Sequence, residues 1–89
     1  MSAQIIALTT APWPIPLGWR FVQEAPEEMP SIERKVGDYL LIVGDDDGEW
    51  RWWLCPLGSY MSVAKGDGFD MITAICQCLD ALATRLEKP

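Results

Sequence analysis

The chain has 89 residues, enough for one small domain and no second core. Thirteen acidic residues against seven basic ones give a net charge of −6. The basic residues are scattered rather than striped, which argues against direct binding to nucleic acid or to an anionic membrane, since both need clustered Lys and Arg.

Residues 1–18 read as a Pro-rich arm or an edge segment. "QIIAL" is a short apolar run at residues 4–8 that suits a strand or an ordered arm. It lacks a basic leader and is too short for a secretion signal or a membrane span; the reduced thiols expected of Cys55, Cys76 and Cys78 point to the cytoplasm. "APWPIPLGW" then places Pro12, Pro14 and Pro16 within five positions. Proline fixes φ and lacks a donor, so this segment is extended and stays out of a sheet interior. Trp13–Pro14 is a candidate cis bond.

The sheet is expected over residues 19–65. "WRFVQEA", residues 19–25, alternates as a first strand. "PEEMPSIERKVGD", residues 26–38, is polar and reads as a loop with one helical turn at 31–35. "YLLIVG", residues 39–44, is a covered strand; "DDDG" supplies turn chemistry; "EWRWWLCPL", residues 49–57, returns. "SYMSVAK", residues 59–65, reads as another strand after a tight turn at Leu57–Gly58. "GDGFD" breaks the sheet, with Asp67 or Asp70 capping a helix over residues 69–87.

That helix carries Ile72, Ile75, Cys76, Leu79, Leu82, Ala83 and Leu86 at the 3–4 spacing of a core-facing stripe. Met71, Ala74, Cys78 and Ala81 form a second stripe beside it, explained by helix propensity or by a partner helix in a homodimer. The fold class expected is α+β: a three- or four-stranded antiparallel meander with one C-terminal helix across one face, in a single domain over residues 1–89.

Five tryptophans in so short a chain are its oddity. Strand alternation sends Trp50, Trp52 and Leu54 to one face and Arg51, Trp53 and Cys55 to the other. The helix can cover only one face. Trp53 is then covered by the Pro-rich segment with Trp13, Ile15 and Leu17, the arrangement that small sheets favour, or it is exposed to a partner. Tryptophan beside arginine is enriched at binding hot spots, which makes Trp53 and Arg51 candidate anchors.

Asp45, Asp46, Asp47 and Glu49 form an acidic knot, and Glu24, Glu27, Glu28 and Glu33 a second group. A calcium loop spaces its ligands over a dozen residues, whereas a tight hairpin points these carboxylates outward. They suit long-range attraction of a basic protein surface. With no histidine there is no nucleophile–histidine pair, and Cys55, Cys76 and Cys78 contain no C-x-x-C spacing. The expectation is a non-enzyme without cofactor or metal, its thiols reduced and Cys76 buried on the core stripe.

From residue 39 onward the layout resembles small bacteriophage and prophage proteins, in which a W-x-W hairpin leads through a Gly-containing turn to one amphipathic helix. The matching residues are Trp50, Trp52, Gly66, Asp67 and the helix from Phe69. Some such proteins resemble anti-CRISPR proteins, commonly small, often acidic, and acting by binding a host complex. The resemblance covers about half the chain and transfers no functional residue. It implies an inhibitor in the host cytoplasm that blocks a nucleic-acid-binding surface of a defence complex. A structural or regulatory homodimer built on the second helix stripe is the alternative, and a small-ligand-binding domain the third.

Overall fold

The computed structural model describes residues 11–59 and 61–87. The expectation for residues 4–8, and for Tyr60 within the strand expected at 59–65, lies outside them. Five antiparallel strands run in sequence order, β1 Arg20–Val22, β2 Ser31–Val36, β3 Tyr39–Asp46, β4 Glu49–Pro56 and β5 Ala64–Gly68, followed by helix α1, Met71–Glu87. The fold is α+β, with five strands among the described residues rather than three or four.

The extra strand is β2, in place of the expected loop with a helical turn at 31–35. Its polar residues hide a two-residue alternation: Ile32 is fully buried opposite Val43, while Glu33 and Lys35 point away. The strand closes through Gly37–Asp38, with Gly37 at φ 58°. At the next hairpin Asp47 and Gly48 have φ 57° and 92°, the positive pair that a type I′ turn requires.

The last strand also moves. The described residues between β4 and β5, 57–59 and 61–63, form no strand where one was expected at 59–65, and "AKGDG" is β5 itself. Glycines in a strand weaken it unless something must come close. Here both do so: a β-carbon on Gly66 would sit 2.8 Å from the Trp52 indole Nε1, and one on Gly68 would sit 2.5 Å from the Ala74 backbone nitrogen. The glycines let the Trp52 ring and the start of α1 lie against β5. Of the two candidate caps Asp70 is used, its Oδ1 accepting from the Thr73 amide at 2.8 Å. That bond holds the Asp70 carboxyl below its ordinary pKa.

The helix register differs from the expected one. Ala74, Ile75, Cys78 and Leu82 are buried against Ile32, Leu41, Val43, Trp52 and Leu54, with Met71, Leu79 and Ala81 half-buried beside them. Ile72, Cys76, Ala83 and Leu86 are exposed. Small side chains at 74 and 78 sit where the helix axis runs nearest the sheet, and larger ones fill the flanks. Met71, Ala74, Cys78 and Ala81 are therefore occupied by the chain's own sheet and do not form a free dimer face.

The Pro-rich segment also takes a different place. Trp13 packs edge-on to Phe21 at 5.6 Å and against Trp50 at 5.2 Å. Phe21 and Trp50 lie on the helix side of the sheet, in line with Ile32 and beside Gly68. The segment thus fills the part of that face beyond α1 and leaves Trp53 uncovered. No peptide bond among the described residues is cis, Trp13–Pro14 included.

Candidate protein-binding surface

Strand register builds the face away from α1. Arg20, Glu33, Ile42, Trp53 and Lys65 align as one row across all five strands. Ile42 and Trp53 at its centre are half-buried, and with Cys55, Met61, Ser62 and Lys65 they line a shallow depression of about 500 Å³. Arg20 and Glu33 pair at one end of the row.

Arg51 shares this face with Trp53, as alternation requires, but it is already engaged. Its guanidinium lies 3.0 Å from Glu49, 3.4 Å from Asp46 and 3.8 Å from Asp67. The hydrogen bond to Glu49, and then the charges of Asp46 and Asp67, hold its pKa above the ordinary arginine value. This arginine organises the β3–β4–β5 end of the sheet, and three carboxylates compete with any partner for it.

The two acidic groups meet in space. The amide of Asp45 donates to the carbonyl of Pro30 at 3.1 Å, docking the β1–β2 connection on the β3–β4 turn. Gln23 braces that connection by donating to the Glu28 carbonyl at 2.8 Å. Glu27, Glu28, Asp45, Asp46 and Asp47 then line a single groove of about 470 Å³, floored by Met29 and Pro30. Exposed Glu24 belongs to the same connection. Glu33 does not join them; it sits mid-sheet with Arg20. The carboxylates are not equally free. Asp45 accepts from the Gly48 amide at 2.8 Å, and Asp46 and Glu49 are turned to Arg51. Glu27, Glu28 and Asp47 are exposed and make no ion pair among the described residues. No group of three or more acidic or thiol side chains there is placed to hold a metal ion.

Met29 carried no signal in the sequence, yet it joins the two surfaces. Its side chain occupies the space that a Gly44 side chain would fill, so it lies over the sheet at the edge of the acidic groove.

Comparisons with protein-family models, curated proteins and solved structures find no match.

The thiols are placed as packing groups. Burial pushes the Cys55 thiol up, and burial together with nearby Cys55 pushes Cys78 up to about 12, with its Sγ 3.7 Å from the Trp53 carbonyl. Both stay protonated near neutrality and are poor nucleophiles. Cys76, expected to be buried, is exposed because the helix is turned toward its small-residue stripe.

Proposed function

We propose that this is a non-catalytic protein that binds a basic segment of another protein in the groove between the β1–β2 connection and the β3–β4 turn. The observation that carries this reading is the convergence of Glu27, Glu28, Asp45, Asp46 and Asp47, far apart in sequence, on one groove. Close carboxylates repel one another, and a folded chain gains from them only when a cation or cationic partner relieves that repulsion. Arg51 relieves the Asp46 and Glu49 side. Glu27, Glu28 and Asp47 are left for a partner's Lys or Arg.

The resemblance to small phage inhibitors extends the reading. A nucleic-acid-binding surface of a host defence complex is rich in the basic side chains that such a groove would attract. Three unpaired thiols support a reducing cytoplasm, that of the host for a phage-encoded chain. No helix among the described residues is long and apolar enough to cross a membrane.

The test is kinetic. A partner is captured from host lysate and identified by mass spectrometry, and its association with the wild type is compared with a Glu27→Gln, Glu28→Gln, Asp47→Asn variant. The Arg51 cluster is untouched in that variant. Association should slow by about tenfold or more at low salt, and its salt dependence should flatten. Unchanged association rates at low salt would remove the groove from the binding reaction.

A further inference from the structure

The sheet face that α1 leaves open has the wrong composition for water. A solvated face of an antiparallel sheet places polar residues at alternate positions. Here the central positions are Leu40, Ile42, Trp53 and Cys55, and exposed Met61 and Val63 stand beside them. Apolar residues at alternate positions on both faces are the mark of a sheet packed between two layers. The helix and the Pro-rich segment supply one layer. On the other side, among the described residues, Met29 lies over Gly44 and Met61 and Ser62 flank the Trp53 depression, which leaves the central row open.

We infer that the second layer is the same face of another copy of this chain, packed about a two-fold axis parallel to the strands. The charge pattern of the central row decides the occupant. Along β2, β3, β4 and β5 it reads Glu33, Ile42, Trp53, Lys65: acidic, apolar, apolar, basic. A two-fold axis between β3 and β4 lays β2 of one copy over β5 of the other, and β3 over β4. Glu33 then meets the Lys65 of the second copy, twice, and Ile42 meets Trp53, twice. Isologous contact requires this self-complementarity. Lys65 has no ion-pair partner among the described residues, and Glu33 can accept a second cation beside Arg20.

The sheet edges offer no competing mode. β1 has three residues, and β5 is rich in glycine and charge, both devices that blunt strand pairing. Four strands and six residues along each make a patch of about 15 by 20 Å, about 300 Å² on each copy and smaller than the interfaces of stable complexes, so a weak dimer with dissociation at about 100 µM is expected. Glu27, Glu28 and Asp47 of the acidic groove lie at the end of the sheet and off the central row, with Met29 at the edge of this contact. Dimerisation therefore stands or falls separately from the proposed partner, and it would set two grooves side by side.

Sedimentation of the full chain tests this. The wild type should move from 10.0 kDa to twice that mass as concentration rises. Glu33→Lys and Lys65→Glu should each be monomeric where the wild type is dimeric, their dissociation constants raised by about tenfold or more, because each sets like charges opposite one another. Within one copy the two positions lie three strands apart, about 14 Å, so they hardly interact directly. Mixing the two variants sets opposite charges against each other again at both contacts, with the signs reversed at one of them, and the dimer should return. Trp53→Lys, which leaves both charges in place, should also be monomeric. A wild type that stays at 10.0 kDa up to about 500 µM would overturn the inference, since weak dimers of this size assemble below that concentration. So would a dimer that all three variants retain, or a mixture that stays monomeric.

Discussion

Gly68→Ala is the sharpest probe of how the helix is seated. A β-carbon at this position falls 2.5 Å from the Ala74 nitrogen, 2.7 Å from its Cα and 2.9 Å from its Cβ. Ordinary carbon contacts lie at about 3.5–4.0 Å, so the first turn of α1 must lift by about 1 Å. That turn is not loose. Asp70 caps it through Thr73, and the Ala74 amide donates to the Asp70 carbonyl at 3.0 Å. Lifting it separates Ala74 and Ile75 from Val43 and Trp52, all members of one buried cluster. Overpacking costs about 1–3 kcal/mol, and the upper part of that range applies because backbone rather than a flexible side chain must yield. Replacing glycine also removes unfolded-state freedom, which returns about 0.4–1 kcal/mol. The net loss is about 2 kcal/mol, which for a domain of this size lowers the melting midpoint by about 8–16 °C. Thermal unfolding followed by circular dichroism measures it. Asp67→Ala, an exposed neighbour in the same strand that loses the 3.8 Å contact with Arg51, is the control and should cost less than about 1 kcal/mol. Melting of the Gly68→Ala protein at or above the wild-type midpoint would refute the close approach of α1 to β5.

Two further expectations concern the same core. The Trp52 indole donates to Gln77 at 2.8 Å, so Gln77→Leu strands a largely buried N–H and should cost about 1–3 kcal/mol in urea unfolding, with an unchanged slope; equal stability would mean that the indole finds another acceptor. In native protein at pH 8 a thiol reagent should modify Cys76 quickly, and Cys55 and Cys78 only on unfolding, as peptide mass mapping would show. Labelling of Cys78 as fast as Cys76 would mean that the helix is rotated from the position described.

The sequence by itself determined what depends on neighbours along the chain. Continuous apolar residues at 39–43, the Asp-Gly turn and the paired tryptophan strand specify the central hairpin, and 3–4 periodicity specifies α1, because these patterns reflect local geometry alone. Charge was equally legible: no packing changes the excess of carboxylates. The tertiary structure decided everything that depends on two distant segments coming close. "SIERKV" becomes a strand only because β3 offers it a ladder, and its own polarity conceals that. The helix carries an apolar arc wide enough for either stripe, and the glycines at 66 and 68 select the narrow one by letting the backbone approach. Trp13 settles on Trp50 rather than Trp53 because the helix leaves that part of its own face unfilled. The acidic groups at 27–28 and 45–47 are separate in the chain and form one groove because two connections end on the same side of an antiparallel sheet. Periodicity is a property of a segment, whereas proximity is a property of the packed whole.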